Sequence, residues 1–141
     1  MLDLSLLVCT KNSSETIIAC LKSSLSILKA NAELILVDGM SHDNTIKLVK
    51  GFLNKNNIIN FKIIHQPKPG LYEAFNLAIK NATRTKLFFL HSDDMLKCCD
   101  TLVEDILHCN ADVIFYGIEI KGKLFKRKWH IKNLSGININ S

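Results

Sequence analysis

Apolar residues follow two rhythms along this chain. Short unbroken runs alternate with stretches in which they recur every three or four positions. "LSLLVCT" (4–10) is the first run and has strand length. Asn12 then precedes Glu15 by three positions, the spacing of a capping box. Ile17, Leu21, Leu25 and Leu28 follow at helical spacing. "ELILVD" (33–38) predicts a second strand, and "SHDNT" (41–45) a polar turn that starts a helix with Ile46, Val49 and Leu53 on its apolar face. "IINFKIIHQ" (58–66) contains a third strand, and "PKPG" (67–70) is a loop. Tyr72 to Ala82 predicts a helix burying Phe75, Ala78, Ile79 and Ala82. "KLFFL" (86–90) is a fourth strand, 99–108 a helix and "DVIFYG" (112–117) a fifth strand. "IEIKGKLFKR" (118–127) alternates around Lys121-Gly122 as a hairpin.

Strand–helix alternation with nearly continuous apolar strands predicts an α/β fold. The expected architecture is a Rossmann-like, mostly parallel sheet with helices on both faces. Residues 1–117 form one α/β domain on this reading, and 118–141 a hairpin and the start of a further region. Such sheets bind ligands at the carboxyl ends of their strands. Thr10, Lys11 and Asn12 follow strand one, Asp38 ends strand two, and Asp93 and Asp94 follow strand four. Parallel strands bring all of them to one edge. Adjacent carboxylates repel unless a cation or hydrogen-bond donors hold them. The structural alternative for Asp94 is a helix cap, which also covers Asn12 well. It covers Asp38 less well, because Gly39 follows it.

Composition narrows the chemistry. The 141 residues are 48% hydrophobic and 22% charged, ordinary for a globular domain with a real core. The net charge of +5 tolerates an anionic ligand or membrane surface. The one basic run, "KGKLFKRKWH" (121–130), has no nucleic-acid motif beside it, so nucleic acid is not an expected partner. Cys9, Cys20, Cys98, Cys99 and Cys109 are odd in number and contain no C-x-x-C. That predicts neither a disulfide framework nor zinc, and fits a reducing compartment. Cys9 and Cys20 sit in apolar patterns as core residues. The N-terminal run fits neither a signal peptide nor a membrane span. No G-x-G-x-x-G, G-x-x-x-x-G-K, G-x-S-x-G or H-E-x-x-H pattern occurs. What remains is a carboxylate pair suited to a hard divalent cation, which commonly takes one or two carboxylates plus phosphate oxygens.

Four segments, in order, resemble family 2 glycosyltransferases of the GT-A fold. "LLVCTKNSSETIIACLKSS" resembles the opening strand, Thr-x-Asn turn and first helix. "ELILVDGMSHDNT" is similar to the family's Val-Asp-Gly-Gly-Ser-Thr-Asp-Gly-Thr segment and is the most specific of the four. "QPKPGLYEAFNLAIKNAT" resembles Pro-Asp-Lys-Gly-Ile-Tyr-Asp-Ala-Met-Asn-Lys-Gly-Ile. "KLFFLHSDDML" looks like the strand carrying the metal-binding Asp-x-Asp element. The likeness covers residues 4 to about 117, making 1–117 a donor-binding domain and 118–141 the start of an acceptor-binding region.

The resemblance implies a nucleotide site of Thr10, Asn12, Asp38, Lys68 and Asp93. Thr10 would lie beside the nucleotide and Asp38 would accept a hydrogen bond from the base, typically uracil. Asp93 and Asp94 would hold a Mg²⁺ or Mn²⁺ ion bridging the diphosphate, with His91 a further ligand candidate. Tyr72 and Asn76 match motif letters, and helix packing accounts for them equally well. His91 stands where the family often has Asp or Asn, and imidazole suits softer metals. Lys68 and Pro69 replace Asp and Lys, leaving Lys68 either a phosphate contact or a solvated loop lysine.

The implied reaction is transfer of a sugar from a nucleotide donor, UDP-linked on this reading, to a hydroxyl by metal-assisted inverting displacement. The acceptor would be a carbohydrate or lipid-linked molecule in cell-surface polysaccharide or glycolipid synthesis. The expected location is cytoplasmic, either free or peripheral at the inner membrane face. "RKWHIKNLSGININS" has no Asp or Glu. The general base is therefore expected outside this chain, with pairing to another copy or a partner chain. The competing reading is an inactive nucleotide-binding or interaction module.

Overall fold

The structure is a computed structural model and describes residues 2–97 and 99–108. Its elements are β1 (Leu4–Thr10), α1 (Ile17–Ser23), α2 (Leu25–Lys29), β2 (Glu33–Asp38), α3 (Thr45–Lys55), β3 (Phe61–His65), α4 (Leu71–Asn81), β4 (Lys86–His91) and α5 (Cys99–His108). Among the described residues the strands form one parallel sheet in the order β3-β2-β1-β4.

Every residue of β1 and β2 is buried, which is why neither strand alternates in sequence. Successive side chains point to opposite faces. Leu6, Val8, Leu34 and Leu36 meet Ile17, Cys20 and Leu21 of α1 and Val49, Phe52 and Leu53 of α3. Leu7, Cys9, Ile35 and Val37 meet Ala74 and Ala78 of α4 on the other side. The expected sheet with helices on both faces is therefore present. Truncating one of these fully buried leucines to alanine would cost about 2–5 kcal/mol.

Three local expectations need correction. The helix after β1 is broken at Ser24, whose hydroxyl donates back to the Cys20 and Leu21 carbonyls and competes with helix continuation. Asn12 and Glu15 form no capping box: the α1 cap is Thr16, without a side-chain bond, and Asn12 has φ +48°. On α4 the buried pair is Ala74 and Ala78, while Ile79 is 43% exposed. Small residues let this helix lie close to the sheet.

Glu33, at the opposite end of the sheet from the polar edge, is buried. It accepts bonds from the Ser5 hydroxyl (2.6 Å), the Thr83 amide (2.8 Å) and the Thr83 hydroxyl (3.0 Å). Cys9 and Cys20 are core residues as expected. The chain divides into two units, Met1–Ile106 and Leu107–Ser141. The second unit falls almost wholly outside the described residues. So do the expected fifth strand, the hairpin, the boundary at 117/118 and the basic run. No helix among the described residues is long and apolar enough to cross a membrane.

Candidate functional site

Strand register sets the site. His65 pairs with Asp38, Asp38 with Thr10, and Cys9 with His91, so the four carboxyl ends finish level. The pairing runs one residue further: Gly39 N–H donates to the Thr10 carbonyl (2.8 Å) and Gln66 N–H to the Asp38 carbonyl (2.9 Å). A Cβ on Gly39 would lie 3.3 Å from both the Thr10 carbonyl oxygen and the Lys11 Cβ, so this close approach favours glycine. Met40 follows with φ +62°, a left-handed conformation that costs a non-glycine residue about 1–2 kcal/mol.

The β1–α1 and β2–α3 loops are laced together. Asn12 N–H donates to Ser41 Oγ (2.9 Å), and Asn12 Oδ1 accepts from His42 N–H (2.8 Å). Ser13 N–H donates to Thr45 Oγ1 (2.8 Å) and Ser14 N–H to Asp43 Oδ2 (3.0 Å). Asp43 Oδ1 takes the Thr45 amide and hydroxyl. The Thr45 hydroxyl bond is the main reason the Asp43 carboxyl lies well below its ordinary 3.8; burial opposes it, and the Thr45 and Ser14 amides reinforce it. The β4 end joins through Ser92, whose Oγ lies 2.9 Å from Ser13 Oγ.

These loops enclose a groove of about 830 Å³ lined by Thr10, Lys11, Asn12, Ser13, Gly39, Asp43, Gln66, His91, Ser92 and Asp93, among others. Thr10 Oγ1 is buried there without a hydrogen-bond partner. Of the expected site residues, Thr10, Asn12, His91 and Asp93 line this groove together. Asp38 does not. Its side chain is 4% exposed, with Oδ1 accepting from Ser41 N–H (3.2 Å) and Oδ2 lying 3.1 Å from His65 Nδ1. Asp94 is exposed and outside the lining; its amide donates to the His91 carbonyl (3.0 Å) and closes the turn that presents Asp93. The His91 ring meets Phe75 edge-on at 5.4 Å.

Lys68 lines a different groove of about 200 Å³, with Gln66, Glu73, Asn76 and Lys80. Tyr72 is 82% exposed and Asn76 is exposed, so helix packing accounts for neither. The Cys20 thiol is pushed up to about 12, chiefly by burial, with the Asp94 and Asp93 charges adding to it. Burial alone pushes Cys9 up to about 11. Both thiols stay protonated and chemically quiet.

The groove's chemistry fits a hard divalent cation. Its charged lining is Lys11 against Glu15, Asp43 and Asp93, so a diphosphate entering alone meets net negative charge. Asp43 is already engaged, leaving Asp93 and Glu15 as exposed carboxylates on the wall, of which Asp93 follows β4. Among the described residues no three His, Cys, Asp or Glu side chains converge as a closed metal cage.

Sequence reasoning missed His65, Gln66, Ser41 and Asp43. The strand-end argument applied to strands one, two and four holds equally for β3 and points to His65 and Gln66. The Asp43-x-Thr45 spacing carried the signal of an Asx turn.

The chain matches the model of the family described as "Glycosyl transferase family 2" over residues 5–140. It is 37% identical over 99 residues to a PGL/p-HBAD biosynthesis glycosyltransferase of Mycobacterium bovis, covering 70% of this chain and 38% of that relative. The chain thus spans well under half the length of the curated relatives it matches. Among solved structures it resembles S. aureus TarS 1–349 in complex with UDP, with TM-score 0.62, 28% identity, and 74% of this chain and 31% of that one covered. The mannosyltransferase PcManGT from Pyrobaculum calidifontis, in complex with GDP-Man and Mn²⁺, superposes with TM-score 0.67 at 20% identity, covering 77% and 33%; that likeness concerns the fold.

Proposed function

Because the chain belongs to glycosyl transferase family 2, with its GT-A α/β sheet, we propose that it is the donor-binding part of a glycosyltransferase using a UDP-linked sugar. The observation that carries this reading is the convergence of Thr10, Lys11 and Asp93 on one groove at the carboxyl edge, with Asp38 beside it.

Asp38 would accept an N–H from the base, and Thr10, in the groove's lining, would lie beside the same nucleotide. Asp93, with Asp94 and His91 beside it, would hold Mg²⁺ or Mn²⁺. Bound there, the cation would offset the charge that builds on the departing nucleoside diphosphate. Lys11 adds the groove's own positive charge to the same end. The lacing of Asn12, Ser13 and Ser14 to the next loop fixes the groove before ligand arrives, so little ordering cost falls on binding. An acceptor hydroxyl would attack the anomeric carbon in one in-line step, its proton going to a base outside the residues identified here.

The test is a thermal-shift panel of UDP, CDP, GDP, UDP-sugars and inorganic diphosphate, with and without Mn²⁺. The expected result is a concentration-dependent rise with UDP that grows with Mn²⁺. No rise with any nucleotide overturns the reading. Binding without sugar transfer or donor hydrolysis favours a binding module.

A further inference from the structure

We propose that His65 is a specificity-determining positioning residue: its imidazole fixes Asp38 for recognition of a base that presents an N–H. This rests on the nucleotide reading above. His65 closes β3 and is the direct register partner of Asp38 on β2. Its Nδ1 lies 3.1 Å from Asp38 Oδ2, while Ser41 N–H donates to Oδ1 at 3.2 Å. An ionised carboxylate only accepts, so Nδ1 carries the proton in this contact.

The two partners of Asp38 differ in kind. Ser41 N–H belongs to the backbone of a laced loop and is fixed. The His65 side chain is 68% exposed, whereas that of Asp38 is 4% exposed. The ring is therefore the adjustable donor, standing between a buried carboxylate and solvent. Without it Oδ2 would open to solvent in place of a fixed donor, and the carboxylate would lose its second anchor. A carboxylate oxygen has more than one acceptor site, so Oδ2 can keep the His65 bond while taking an N–H from a base. Uracil offers such an N–H at N3; cytosine offers a lone pair there, which a carboxylate repels. Base choice then depends on how firmly Asp38 is held, and His65 supplies one of its two holds.

The experiment measures UDP and CDP affinity, each with Mn²⁺, on the whole chain by titration calorimetry. It compares wild type with His65→Ala, His65→Asn and His65→Phe. Asn can place its amide nitrogen near the position of Nδ1, whereas Phe keeps a ring and loses the donor. The expected wild-type preference for UDP over CDP is about tenfold or more, the size of one hydrogen bond to a charged group. It should collapse towards parity in His65→Ala and His65→Phe and return in His65→Asn, with inorganic diphosphate binding equally to all four. Unfolding midpoints of the free proteins identify a variant that is merely destabilised, and the Asn–Phe contrast stands apart from stability. An unchanged UDP:CDP ratio in both Ala and Phe variants overturns this role for His65 and leaves the nucleotide site standing. Absence of UDP binding by wild type overturns both.

Discussion

Removing the Glu33 carboxylate should destabilise the sheet from the end opposite the groove. Glu33 gathers the Ser5 hydroxyl of β1 and the amide and hydroxyl of Thr83, in the loop before β4. Glu33→Ala leaves the buried Ser5 hydroxyl and the Thr83 amide without their acceptor, at about 1–3 kcal/mol each. Lys62 lies 3.5 Å away but is 45% exposed, so its ion pair adds little. The expected loss is about 3 kcal/mol, or about 10 °C in midpoint for a chain of this size. Glu33→Gln keeps one oxygen for Ser5 and the Thr83 amide and should cost about 1 kcal/mol. Burial raises the Glu33 carboxyl, but the Ser5 and Thr83 bonds, helped by Lys62, bring it below its ordinary 4.5. Its stabilisation is therefore complete above the unfolded-state pKa and is lost as pH falls through the lower folded value. Urea unfolding of wild type and Glu33→Gln at a series of pH values should show their difference shrinking below about pH 4.5. An alanine variant within 0.5 kcal/mol of wild type, or a difference that grows in acid, would refute the role given to these bonds.

The other expectations concern the groove. Asp93→Asn combined with Asp94→Asn should abolish the Mn²⁺-dependent part of UDP stabilisation in thermal shift; an unchanged Mn²⁺ dependence would remove the metal role. Asp38→Ala should weaken UDP at least about tenfold while leaving inorganic diphosphate unaffected, by calorimetry; equal weakening of both would make Asp38 structural. Asp43→Ala unlaces the two loops, so amide exchange at Ser14 and Thr45 should speed up and UDP affinity should fall. Because the Asp43 carboxyl sits well below 3.8, the wild-type lacing should hold from pH 8 to 5, and its loss within that range would contradict the assigned bonds.

The sheet was legible because β1 and β2 are apolar at almost every position, a pattern that demands cover on both faces. The groove's edge was legible for the same reason: once the strands are parallel, Thr10, Asp38 and Asp93 must gather at one end. The lacing was not. Asn12 and Glu15 have capping-box spacing, yet Asn12 bonds to Ser41 and His42, about thirty positions away. Local spacing carries no trace of such a partner. Ser24 looked like one more helix position, because a hydroxyl's choice between solvent and its own backbone is set by tertiary packing. Asp38 was legible as a strand-end acid but not as a buried one, since its burial comes with the β3 partner His65.

The most direct test of the groove uses Mn²⁺ as a paramagnetic probe in amide NMR spectra of the whole chain, with and without UDP. With UDP present, line broadening should centre on His91 to Asp94 and reach Thr10 and Lys11, leaving Glu33 and Thr83 at the far end of the sheet sharp. Broadening that centres elsewhere, or that is identical without UDP, would contradict a metal–diphosphate site at this edge.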